Sequence, residues 1–139
     1  MDMKQLAEIV AQDEEPVVVP VHQKNGEPYL ALDGTPSTIT VVGTESKRYM
    51  AAEDAHRKRL FGMMRKSGGQ TLDPKVSRWE DVRLLSAAVI DWHGWDDGKK
   101  ELPCTPEAVQ ELLRFRHIFD QVKAGVEGHA DFFMANSAD

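Results

Sequence analysis

The feature that most limits what this chain can fold into is a change of hydrophobic period at Gly43. Residues 16–43 read PVVVPVHQKNGEPYLALDGTPSTITVVG, a run of β-branched and aromatic residues punctuated by Asn25-Gly26 and Asp33-Gly34. These dipeptides accept the positive φ of tight turns, so the segment predicts a small antiparallel sheet. Strands are placed near 17–22, 29–32 and 37–42, with Pro20 marking an edge strand because proline cannot donate to the ladder. After Gly43, Tyr49, Ala52, His56, Leu60, Met63 and Met64 recur at three and four residues, which predicts a helix over about 46–66 with Thr44 or Ser46 as its cap.

Helical spacing continues downstream. Ser67-Gly68-Gly69 ends the first long helix, and Asp73-Pro74 starts a second, with Asp73 as cap and Pro74 where its missing N–H costs nothing. Val76, Trp79, Val82, Leu85, Val89 and Trp92 form one stripe, widened by Leu84, Ala87 and Ala88. The stripe predicts a central helix running to Trp92, closed by a left-handed Gly94 and followed by a turn at Asp97-Gly98. Thr105-Pro106-Glu107 opens a further helix carrying Val109, Leu112 and Leu113; Ile118, Phe119, Val122 and Val126 keep the period, and Phe132-Phe133 with Met134 closes the core. Upstream, Met3, Leu6, Ile9 and Val10 mark residues 1–15 as either a short helix or a frayed tail, ended by Asp13, Glu14, Glu15 and Pro16. The expected architecture is one α+β domain over 1–139: an N-terminal antiparallel sheet in 16–43 followed by a mostly helical part in 44–139.

A chain of 139 residues buries roughly two thirds of its unfolded surface without needing a staple. Cys104 is the only cysteine, so no internal disulfide or multi-cysteine zinc site can form, as expected of a chain kept in a reducing cytosol. The opening MDMKQLAEIV has no basic start followed by an apolar core, and no apolar run approaches the ~18–20 residues that span a bilayer, so neither export nor a membrane partner is expected. The net charge of −6 argues against nucleic acid as the main partner. Residues 44–66 nevertheless hold seven basic against three acidic side chains, a local +4 that leaves −10 for the remainder. Glu53 with Arg57 and Asp54 with Lys58 stand at i, i+4, so this segment reads first as the solvated face of a helix and second as a dock for an acidic partner.

DWHGWDDG, residues 91–98, is the densest chemical cluster. On a helix, Asp91 and His93 would point to different sides, and His22, His56, His117 and His129 lie on separate elements, so no metal site and no cofactor is expected. Cys104 with His93 or His117 could be drawn as nucleophile and base, yet a cysteine beside a proline at a helix start is more often an apolar filler. The chain has no P-loop, dinucleotide fingerprint or nucleophile elbow, so no enzyme is expected. Trp79 and Trp92 fall on the helical stripe and read as core; Trp95 is less tied to it.

The order of these features resembles the tail assembly chaperones of long-tailed bacteriophages. The likeness runs from ITVVGTESKRYMAAEDAHRKR, with Gly43, Thr44 and Ser46 at the helix start, to DWHGWDDGKKELPCTPEAVQELLRFRHIFDQV. In the latter, Trp92, Gly94 and Trp95 precede Leu102, Pro103, Thr105, Pro106 and Glu107, then Phe119, Gln121 and Val122, with Phe132-Phe133 near the end. It covers about two thirds of the chain, from near Ile39 onward, and departs where Cys104 replaces a usual phenylalanine and where Ala108 and Val109 replace a common asparagine after the glutamate. The resemblance implies a non-enzymatic protein of the infected host's cytoplasm that binds the tape-measure protein, helps recruit tail-tube subunits and is absent from the mature virion, with self-association left open. The surface expected to carry this binding is Tyr49, Arg57, Met63, Met64 and Arg65 with Trp95, Phe132 and Phe133. Two other readings compete: a structural tail component retained in the particle, and a small metal-binding protein or enzyme using Asp91, His93 and Cys104.

Overall fold

A computed structural model describes residues 1–69 and 71–137. It is an α+β fold with the order α1 (Met3–Ala11), a 3-10 turn (Gln12–Glu14), β1 (Val17–Pro20), β2 (Thr38–Val41), α2 (Lys47–Lys66), α3 (Pro74–Ser86), β3 (Val89–His93), α4 (Pro106–Leu113), α5 (Arg116–Glu127) and α6 (His129–Ser137). The three strands form one antiparallel sheet in the order β1-β2-β3.

Alternation sets the inner face. Val17 and Val19 on β1 and Ile39 and Val41 on β2 are buried, while Val18 and Pro20 face out. Each buried aliphatic side chain contributes roughly 1.5–3 kcal/mol relative to exposure. This face packs against Ile118, Phe119, Val122 and Val126 of α5, with Val82 and Leu85 of α3 and Val109 and Leu113 of α4 completing one core. The expected strand at 29–32 does not form. Tyr29 pairs singly with Val21 and Ser37 through its backbone (3.1 and 2.8 Å), and Pro28 and Pro36 flank it without donors, so the segment is held by isolated bridges. The turns at Asn25-Gly26 and Asp33-Gly34 form as read, closed by Gly26 N–H to the Gln23 carbonyl (2.9 Å) and Gly34 N–H to the Ala31 carbonyl (3.0 Å).

The larger correction concerns the second half. α3 stops at Ser86, and Val89, Ile90, Asp91, Trp92 and His93 form β3 on the far side of β2, so the strands are not confined to the N-terminal part. Thr40 pairs with Asp91 and Val41 with Val89, which leaves Ile90 as an extra bulged residue. The bulge turns Val89 and Trp92, three apart, toward the same core, and a spacing of three is also a helical one. Trp92 is therefore buried as expected, but on a strand. Trp79, read as core, is 36% exposed. Gly94 adopts φ of 84°, following a strand rather than capping a helix, and a Cβ there would stand 2.8 Å from Ser37 Oγ. Both conditions require glycine.

Candidate functional site

The longest element is α2, and one of its faces is open to solvent. Ser46 caps it, its Oγ accepting from Tyr49 N–H (3.3 Å) and donating to the Gly43 carbonyl (2.7 Å). Asp13 and Glu14 reach across from the N-terminal segment to accept from Glu45 N–H (2.8 Å) and Lys47 N–H (2.7 Å), placing two carboxylates at the positive end of the helix dipole. No residue of α2 is fully buried. Its inner face is half-buried and tied to α3 by Glu80, which is 2% exposed: Oε2 accepts from Arg59 Nε (3.0 Å) and lies 3.4 Å from His56 Nδ1.

The outer face carries a stripe. Met50, Arg57, Phe61 and Met64 stand at i, i+7, i+11 and i+14, positions that share one side of a helix. Met50 is 53% exposed, Phe61 65% and Met64 46%, and Arg57 is exposed with no ion pair among the described residues. Of the two i, i+4 pairs read from sequence, Asp54–Lys58 forms at 3.1 Å. A 20-residue helix is about 30 Å long, so the stripe extends over some 20 Å.

The expected binding residues separate into two groups. Arg57, Met64 and Arg65 lie exposed on α2, and Met63 is half-buried on its inner side. Tyr49, Trp95, Phe132 and Phe133 pack instead against the core. Burial, with Glu53, Glu127 and Asp81 nearby, pushes the Tyr49 hydroxyl above its usual pKa. Trp95 donates its indole N–H to the Thr38 carbonyl (3.0 Å) and stacks at a tilt on Tyr29; Phe133 stacks on the buried His129. Met50 and Phe61 escaped the sequence reading because the inner stripe was followed; the spacing 50, 57, 61, 64 was the signal for them.

The DWHGWDDG stretch is a strand end and turn. Trp92 donates to the Leu102 carbonyl (2.9 Å), Glu101 accepts from Gly94 N–H, and Asp97 Oδ1 accepts from Lys100 and Lys99 N–H (3.0 and 2.9 Å), which holds its carboxyl below the ordinary range. Because β3 is a strand, Asp91 and His93 share a face, contrary to the helical reading. His93 Nε2 bonds Thr35 Oγ1 (2.7 Å), and its Nδ1 lies 3.4 Å from Glu101 Oε1. Thr35 in turn donates to Asp33 Oδ1 (2.5 Å), chiefly lowering that carboxyl's pKa. Burial and Asp91 push the Cys104 thiol up, against a smaller opposing pull from Arg48. A thiol held protonated is a poor nucleophile. Among the described residues no three His, Cys, Asp or Glu side chains are placed to hold a metal ion, and no helix is long and apolar enough to cross a membrane.

A second exposed surface lies between α3 and α4. Trp79 borders a cavity of about 580 Å³ with Lys75, Arg78, Val82 and Arg114, and the Arg114 guanidinium sits 4.6 Å over the Trp79 ring. A scan against protein-family models, a search of curated proteins and a search of solved structures each found no match.

Proposed function

We propose that this chain is a non-enzymatic assembly chaperone that holds a helical client on the outer face of α2. The observation that carries the reading is the Met50, Phe61 and Met64 stripe, three large apolar side chains left in water at helical spacing with a free Arg57 among them. Such a stripe suits an amphipathic client helix, whose apolar residues interdigitate with it. Methionine adds adaptability, since its unbranched chain repacks against varied surfaces. The resemblance described above supplies the client's identity: the tape-measure protein of a long-tailed phage, kept soluble in the host cytoplasm while tail-tube subunits are recruited.

Co-expression tests this directly. The tape-measure protein is expected to be soluble and to co-purify with the wild-type chain, and to lose both properties with Phe61→Asp/Met64→Asp, whose exposed positions leave the fold unchanged. Equal solubility with and without the chain sinks the proposal. Mass spectrometry of purified particles separates it from a retained tail component, which would be present in stoichiometric amounts.

A further inference from the structure

We propose that the open-mouthed cavity bounded by α2, α3, β3 and the start of α4 is a binding site for a small polyanion, carrying either a phosphate or more than one carboxylate. The cavity measures about 360 Å³. Its wall holds three arginines, Arg48 and Arg59 from α2 and Arg83 from α3, and no aspartate or glutamate. Arg48, Ala52 and Arg59, at i, i+4 and i+11, share the inner face of α2, opposite the Met50–Phe61 stripe. Small side chains, Ala52 and Ser86 among them, leave open the space that larger residues would fill in a packed helix contact.

Charge then identifies the ligand class. Glu80 balances Arg59 through Nε alone, and no partner among the described residues engages the other two nitrogens of that guanidinium. Arg48 and Arg83 have no ion pair among the described residues, so two positive charges in this wall are uncompensated in a protein of net charge −6. Asp91 acts on Cys104 but is not part of the wall. Guanidinium groups bind oxyanions through paired, charge-assisted hydrogen bonds, and a ligand with two or more negative charges meets both free arginines. A monoanion brings a single charge to the two.

The test titrates the full-length protein with pyrophosphate, citrate and acetate at constant ionic strength set by sodium chloride, following backbone amide shifts by NMR. Saturable shifts at the amides of Cys104, Thr105, Val109 and Gln110 are expected with pyrophosphate or citrate at or below about 1 mM, and their order tells phosphate from carboxylate chemistry. Acetate is expected to bind about tenfold more weakly or worse. Arg48→Gln/Arg83→Gln, at exposed positions, is expected to abolish saturation while keeping a native spectrum. Wild-type protein gives an independent readout: Cys104 lines the cavity, so the bound anion slows its alkylation by N-ethylmaleimide. The proposal is overturned if no polyanion saturates, if the double variant binds as well as wild type, or if alkylation is unprotected. Phe61→Asp/Met64→Asp leaves this binding intact, so failure here and failure of the chaperone reading are separable.

Discussion

Glu80 is the acidic side chain that the fold treats most severely, since it is 2% exposed and its carboxylate must be satisfied from inside. Arg59 Nε at 3.0 Å supplies the opposite charge, with the His56 ring packed beside the carboxylate (Nδ1 at 3.4 Å), so the Glu80–Arg59 pair links α2 to α3 at a helix contact otherwise lined by half-buried residues. Removing one partner of a fully buried pair costs about 3–5 kcal/mol. Here the arginine side chain is 26% exposed and can turn toward water once released, which lowers the expectation. Glu80→Gln is expected to destabilise by about 2 kcal/mol in urea unfolding, with a double-mutant cycle against Arg59→Gln recovering a coupling of about 1 kcal/mol or more. Additive single effects would show that the contact carries no coupling.

At the scale of elements, α5 shows how a helix is fitted to a sheet. A glycine inside a helix costs about 1 kcal/mol relative to alanine, yet Gly125 lies in α5. A Cβ there would stand 2.5 Å from Val19 Cγ2, a methyl of a buried β1 side chain with nowhere to go. Overpacking costs about 1–3 kcal/mol and outweighs the propensity gain, so Gly125→Ala is expected to destabilise by about 1 kcal/mol net. Calorimetry checks the sign; a rise in Tm would mean that the helix has room to shift. This contact was not legible from sequence, because nothing in KAGVE says which strand the glycine meets. What was legible is what local chemistry dictates: Asp73 and Thr105 cap the helices assigned to them, Ser46 is the one of the two candidates Thr44 and Ser46 that caps α2, and Val17, Val19, Ile39 and Val41 alternate as a strand face should. β3 was missed because the bulge at Ile90 gives a strand a helix-like spacing, and a bulge depends on the partner strand. The candidate surface was read in half for a related reason. Arg57 and Met64 were named, but Tyr49 and Trp95 find partners in the core from residues far away in the chain.

For the whole molecule, the two ends of the chain close one sheet edge. β1 pairs with β2 on one side, and its other side is the outer edge of a three-stranded sheet, the kind of edge on which a second chain pairs when it is left bare. The backbone positions that face outward along this segment are alternate residues, Val18, Pro20 and His22. Val18 N–H donates to Asn136 Oδ1 on α6 at 2.8 Å; Pro20 has no N–H; His22 N–H donates to Gln121 Oε1 on α5 at 2.8 Å, while Gln121 Nε2 returns a bond to the His22 carbonyl at 2.8 Å. A side-chain amide thus imitates the next strand, and the pairing joins residues 99 and 118 positions apart. Because the sites are exposed, water replaces much of each lost bond, so Gln121→Ala/Asn136→Ala is expected to cost only about 1–2 kcal/mol in unfolding. The sharper effect is local: the Val18 and His22 amides should exchange with solvent at least tenfold faster while core amides such as Val41 keep their protection, and the variant should aggregate more readily on warming. If those two amides already exchange at the unprotected rate in the wild-type protein, the edge is open in solution and α5 and α6 do not guard it.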